Sequence, residues 1–456
     1  MPVGAEPGSA EGAPASTPQR RSSLIGDLRI VLAERDFRKL FNTRLVSQTG
    51  DGVLTAGVGT YVFFNASTFP SPTAGAAAFA VLYLPYSLIG PFAGVFIDRW
   101  SRRQILVWSA LIRAVFVVAT AAVMAAGNRG VPLYIAVLAV LGVNRFFLSS
   151  LSAALPHVVA EDKLVMANSV SPTIGGIMSS IGGILAFGLN TVTGDTERGA
   201  AVTVLVAGGC YVAAGLVATT MQRDLLGPDR TTWQPARLGE ELARVAAGLV
   251  DGARYVLRQR QARAALGAIG GFGLLFGPVF LLAIILYRNY FYPSHATTAA
   301  SHVAVLAAAS AVGYACAALV TPPATKRVSK QAWIALMLLL SAVVTGLLGE
   351  TFNQIAYLAV GFLLYLARQA MAISATTIIQ EDVEDTYRGR VFSFYDMMGN
   401  VTYVAGAALF AAFMPANGKS PAIVAIAAVG FALVAAAYWL SAGGSSPSAS
   451  AQRSSS

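Results

Sequence analysis

The chain has 456 residues, 55% of them hydrophobic and only 12% charged, with a mean hydropathy of +0.62. A soluble chain of this size would carry about twice that charged fraction, and without strand-like alternation of polar and apolar residues a membrane β-barrel is excluded as well. The net charge of +10 does not point to nucleic acid, because the basic residues gather in segments expected on one membrane face, which is the positive-inside pattern.

Residues 1 to about 22 are rich in Ala, Pro, Ser and Gly and predict a disordered arm. From Leu24 to Leu40 the arm turns basic and amphipathic, as expected of a segment lying along the inner membrane face. No short apolar core with a small-residue cleavage site follows the early arginines, so no cleavable signal is expected. Twelve apolar runs then predict membrane spans, each near the ~20 residues needed to cross a bilayer. They fall near 41–64, 74–97, 104–126, 131–158, 165–189 and 200–221, then 265–288, 298–320, 331–349, 353–379, 390–414 and 421–441. The even count places both termini on one side, and the basic arm (residues 1–40) makes that side cytoplasmic. Between the sixth and seventh runs lies a polar linker, 222–264. Its Leu238, Leu242, Val245, Leu249, Val256 and Leu257 recur at helical spacing, predicting an amphipathic helix on the inner membrane surface. The tail, 442–456, is rich in Ser and Gly and predicts disorder.

The hinge between the second and third runs is the most specific motif. Gly94-Val95-Phe96-Ile97-Asp98-Arg99-Trp100-Ser101-Arg102-Arg103 packs one acid and three arginines between two apolar stretches. It resembles the loop between spans 2 and 3 of the major facilitator superfamily of secondary transporters, Gly-x-Leu-Ala-Asp-Arg-x-Gly-Arg-Lys. Gly94, Asp98, Arg99, Arg102 and Arg103 match it in kind, and Ser101 replaces the second glycine. An internal echo agrees: Arg368 follows Arg145 by 223 residues, as Glu384 follows Glu161. The resemblance implies an all-α membrane protein of twelve transmembrane helices in two six-helix pseudo-symmetric halves, 41–221 and 265–441, with a substrate site between them. The hinge would lock the inner face, Asp98 meeting a helix N-terminus or a basic residue, and Arg102 and Arg103 meeting acids such as Glu384 or Asp385. The segments from Leu155 to Val159 and from Arg388 to Phe392 resemble the branch that holds macrolide-efflux proteins and the enterobactin exporter.

Charges inside the spans are costly in hydrocarbon and face a cavity or a partner. Asp51, Arg113, Arg145 and Arg368 all fall near the middle of their runs. In the superfamily fold, spans 1, 4, 7 and 10 line the central cavity, which implies that Asp51, Arg145 and Arg368 point into it. Asp51 is a candidate proton carrier, with a permanent pair tying span 1 to span 3 or 4 as the alternative. Arg145 and Arg368 suit an anionic or carbonyl-rich substrate, or else bonds that hold the bundle. Asp396 is expected nearer the cytoplasmic end, paired with Arg388 or Arg390. Gly182-Gly183 resembles half of the antiporter motif Gly-Pro-x-x-Gly-Gly, but Met178-Ser179 stands in the place of Gly-Pro, so helix packing is the expected role.

Cys210 and Cys316 lie in apolar runs, and His157, His295 and His302 are scattered. No metal, cofactor or nucleophile–base pattern is expected, and so no enzyme. Asn417-Gly418-Lys419-Ser420 lacks the first glycine and the preceding strand of a phosphate loop. Abundant arginine and alanine suit a GC-rich bacterial genome. These observations imply a monomeric, multi-pass exporter of the bacterial plasma membrane, moving a small amphipathic or anionic molecule against protons, with lipid and no nucleic acid as its other contacts. An importer or lipid transporter on the same scaffold, or a transport-inactive receptor or assembly factor, is the alternative.

Overall fold

Inside a bilayer every backbone N–H and C=O needs a partner within the protein, so uncharged runs of this length form helices. A computed structural model describes residues 32–64, 71–88, 100–160, 163–194, 196–222, 225–227 and 238–442, with helices and no strand among them. In chain order the helices are α1 (Arg35–Phe64), α2 (Pro72–Leu88), α3 (Arg102–Ala125), α4 (Val131–Ala154), α5 (Leu164–Thr193), α6 (Glu197–Thr219) and α7 (Leu238–Arg258). They continue as α8 (Arg260–Ile285), α9 (Ala296–Ala324), α10 (Lys330–Val344), α11 (Gln354–Asp382), α12 (Asp385–Ala411) and α13 (Pro421–Ala442). Side-chain caps fix several starts. Thr196 accepts from the Gly199 amide, Ser329 from that of Ala332, and Asn353 from those of Ile355 and Ala356.

Among the described residues nine helices are long and apolar enough to cross a membrane: α3 to α6, α8 to α11 and α13. The others differ for stated reasons. The apolar part of α2 is shorter, and α1 and α12 carry polar residues at mid-length: Ser47, Gln48, Thr49 and Asp51 in one, Ser393, Asp396 and Asn400 in the other. The outside of the bundle is apolar, with Val192 85%, Leu440 79% and Ile184 74% exposed, as suits a surface covered by lipid.

Helices α1, α3, α4, α5 and α6 pack chiefly on one another, as do α8 to α13. Contacts between the groups run mainly through α2, which lies along α12 and touches α8, while α1 touches α9. Glycines set the closest approaches. A Cβ on Gly52 would overlap the Ser179 carbonyl, and one on Gly182 the Thr49 carbonyl, so α1 and α5 touch backbone to backbone. The same device joins α8 to α12, where Gly277 meets the Tyr403 carbonyl and Gly406 that of Leu274. Gly182 therefore serves helix packing.

Two segments refine the sequence expectations. Residues 35–40, expected in a surface arm, belong to α1. Phe37, Leu40 and Phe41 continue the buried stripe of that helix and pack in one cluster with Phe147, Leu151 and Ala167. The linker helix α7 docks on α12, with the Tyr255 and Tyr387 rings stacked at 4.3 Å and Val256 buried against Ala262, Leu266 and Val391.

Candidate functional site

Two charged sites lie at mid-depth. The first is closed. Asp51 of α1 forms an ion pair with Arg113 of α3, accepts from Tyr211 Oη of α6 at 2.9 Å, and accepts from Asn144 Nδ2 of α4 at 3.3 Å. Arg113 also donates to Ser47 Oγ at 2.8 Å, and its guanidinium lies 3.6 Å from the centre of the Tyr211 ring. Arg113 is fully buried and Asp51 is 9% exposed. One carboxylate thus joins four helices, with a cation and two neutral donors replacing the water it lost.

The second site is open. A cavity of about 290 Å³ lies among α8, α9, α11 and α12, lined by Phe272, Phe276, Tyr314, Arg368, Asp396 and Tyr403 among others. Its size is at the lower end of small-molecule pockets. Arg368 and Asp396 are both exposed in it, and neither has a hydrogen-bond or ion-pair partner among the described residues. The charge of Arg368 reaches the hydroxyls of Tyr83, Tyr365, Tyr395 and Tyr403. Arg145 acts on Asp396 from α4, so the helix groups meet electrostatically here.

An aromatic cluster covers one end of the cavity. Phe79 of α2 stacks on Tyr403 at 5.5 Å and contacts Phe280 at 5.6 Å, and Tyr83 meets Tyr403 edge-on at 5.0 Å. Phe276 adds contacts to Tyr403 at 5.7 Å and to Tyr365 at 5.2 Å. Phe79 lies seven residues from the start of α2, and Phe280 twenty residues from the start of α8. The cluster therefore sits toward the end of the bundle away from Arg35, Thr219 and Arg260.

The structure thus unites Asp51 with Arg113, places Arg368 in the cavity wall, and brings Arg145 within electrostatic reach of Asp396. Asp51 and Arg113 do not line the cavity. Asp396 departs from expectation: it faces the cavity, whereas Arg390 lies over the Tyr387 ring and against Gly252 of α7. The span was expected to begin at residue 390, but α12 begins at Asp385, so Asp396 is eleven residues in, or about 16 Å at helical rise.

Of the hinge, Gly94, Asp98 and Arg99 lie outside the described residues. Arg102 bonds His157 and donates to the Leu226 carbonyl at 3.1 Å, and Arg103 donates to the Thr219 carbonyl at 2.6 Å. Both arginines therefore hold the chain leaving α6, within their own helix group; the side chain of Asp385, one of the acids expected opposite them, lies outside the described residues. Sequence reasoning missed the tyrosines around Arg368. Their types were visible, but the faces they occupy depend on helix rotation.

The comparisons agree with this architecture. The family model described as MFS/sugar transport protein matches residues 9–189. Uncharacterized MFS-type transporters of Mycobacterium bovis and Mycobacterium tuberculosis are each 32% identical over 400 residues, covering 87% of this chain and 89% of theirs. Among solved structures, the nucleoside transporter NupG superposes with a TM-score of 0.64 at 14% identity, covering 89% of this chain and 98% of its own. A bacterial homologue of the iron transporter ferroportin, in an inward-facing state, gives 0.65 at 15% identity and covers 91% and 99%. A POT family peptide transporter gives 0.66 at 12% identity, with 91% and 98% covered. At these identities the structures show a shared fold. The relatives and neighbours are transporters and not enzymes, and this chain belongs to the major facilitator superfamily (MFS) as a multi-pass secondary transporter.

Proposed function

We propose that the protein exports a small amphipathic or anionic molecule in exchange for protons, by alternating access across a bacterial plasma membrane. The observation that carries this reading is the mid-depth cavity, where Arg368 and Asp396 stand exposed among aromatic side chains under a cover formed between the helix groups. A charged group at that depth is costly unless water or cargo reaches it. In this reading the chain has twelve spans in two pseudo-symmetric halves and cytoplasmic termini. The aromatic cluster is then the outer gate, closed in an inward-facing state. The hinge of Gly94, Asp98, Arg99, Arg102 and Arg103 belongs to the inner gate, and a single chain suffices. Support for export comes from the sequence resemblance to the macrolide-efflux and enterobactin-exporter branch. Arg368 holds the cargo, with Arg145 as its counterpart acting on Asp396 from α4. Asp51 and Arg113, paired with each other, form the fixed tie of the first half.

The test is transport by purified protein in sealed vesicles, energised by an imposed pH gradient and offered a metabolite extract from cells lacking the protein. Gradient-dependent accumulation of a small molecule, read by mass spectrometry and lost in Arg368→Gln, is the expected result. Accumulation that needs no proton gradient would overturn exchange, and none at all would overturn transport of a metabolite.

A further inference from the structure

The cavity shows opposite charges that do not neutralise each other. Arg368 projects from α11 and Asp396 from α12, both exposed in one space and with no ion pair between them. The groups facing Asp396 are Arg145 from α4, Arg368 from α11, Tyr314 from α9 and Tyr395 and Tyr403 from its own helix, while α8 presents Phe272 and Phe276. A cargo with a single charge would leave one of the two exposed ions uncomplemented. A cargo with both charges would satisfy each, with its body held by the aromatic walls.

The sign of coupling selects the same cargo. Two ligands are exchanged when binding of one opposes the other, and carried together when each favours the other; the coupling is reciprocal. A proton on Asp396 removes a negative charge that would repel an anion seated on Arg368. A purely anionic cargo would therefore bind together with the proton, which is the wrong sign for export against proton entry. A cationic group seated on Asp396 competes with the proton and has the right sign.

Resting on the exchange reading above, we infer that the cargo is a zwitterion on a planar aromatic body, its anionic group on Arg368 and its cationic group on Asp396. Phe272, Phe276 and Tyr403 hold the ring. Protonation of Asp396 from the outer side releases the cationic end, and loss of that proton to the inner side readies the site for the next cargo.

Equilibrium binding to the purified full chain in lipid nanodiscs tests this with three indoles of similar size. They are N,N,N-trimethyltryptophan (zwitterion), its methyl ester (cation) and indole-3-propionate (anion), none of which changes charge between about pH 6 and about pH 8. The zwitterion is expected to bind about tenfold tighter than either relative, a difference of about 1.4 kcal/mol. Arg368→Gln should bring the zwitterion down to the affinity of the ester, which itself stays unchanged. Asp396→Asn should bring it down to the affinity of the propionate. Acidification should weaken zwitterion binding in the wild type and leave it unchanged in Asp396→Asn. Arg368→Lys, which keeps the charge, should recover part of the loss and exclude misfolding as its cause.

Preference for the propionate, tighter binding on acidification, or no binding of any probe at millimolar concentration would overturn the inference. The outcome is separable from the transport reading. The expected binding pattern without gradient-driven uptake of trimethyltryptophan would sink exchange and leave the site assignment standing. Gradient-driven export of a simple anion would do the reverse.

Discussion

Asp51 and Asp396 both lie deep in helices and both feel an arginine, yet their surroundings are opposite. Asp51 is held by Arg113, Tyr211 and Asn144 and is nearly sealed, whereas Asp396 stands open to a cavity with Arg145 as a more distant charge. The closed site links four helices of one group. The open site draws on both groups, α12 supplying the acid and α4 the arginine. A buried ion pair resists movement, because breaking it leaves charges without partners. A charge that is solvated by cavity water can exchange that water for cargo. The same residue types therefore serve as a tie in one place and as a binding group in the other.

The largest expected effect comes from breaking the tie. Arg113→Leu would leave the Asp51 carboxylate buried without its cation, at a cost of about 3–5 kcal/mol. Loss of monodisperse protein in size-exclusion chromatography is expected, and Asp51→Asn added to Arg113→Leu should recover much of it. If Arg113→Leu alone behaves like wild type, the pair is not structural. Next in size is Gly182→Leu, where side-chain atoms would meet the Thr49 backbone. Overpacking costs about 1–3 kcal/mol, so a clear drop in melting temperature is expected, with Gly406→Leu its counterpart between α8 and α12.

A smaller effect is expected from Phe79→Leu, which keeps an apolar side chain at a cost of about 1 kcal/mol but removes the ring contacts to Phe63, Tyr83, Phe280 and Tyr403. Melting should change modestly, but the cover over the cavity should loosen. A cysteine at Asn400 should then react faster with a membrane-impermeant reagent added from outside; an unchanged rate would remove the gate assignment. The smallest expected change in stability is at Arg368. Arg368→Gln breaks no bond among the described residues and should stay within about 0.5 kcal/mol of wild type, while transport is lost. Asp396→Asn should likewise melt normally and lose gradient-driven transport. Folded Asp51→Asn that retains transport would complete the contrast, whereas its inactivity alongside an active Asp396→Asn would reverse the two roles.

Most of the helical layout was legible from apolar runs, because run length is tied directly to bilayer thickness. The described helices fall within a few residues of most of the expected spans, and α1, α8 and α12 begin five or six residues early. That small shift at α12 moved Asp396 from an expected surface site to mid-depth. Depth was readable for Arg113, Arg145 and Arg368, but direction was not. Whether Asp51 would face Arg113 or the cavity depends on the rotation of α1 against α3, which the close contact of Gly52 and Gly182 with α5 and α1 helps to set. A single sequence holds no direct record of that rotation. The tyrosines near Arg368 come from three helices, and their convergence is likewise a property of packing.

The closed site also bears on how the chain is made. Asp51 precedes Arg113 by 62 residues and Tyr211 by 160. At the usual pace of synthesis, about 5–20 residues per second, its arginine arrives about 3–12 seconds later and its tyrosine about 8–32 seconds later. During that interval α1 holds a carboxylate that lipid will not accept, so the helix must stay beside water or the insertion machinery until α3 emerges. Biogenesis of this protein then has a natural checkpoint, at which the first helix enters the bilayer only in the company of the third.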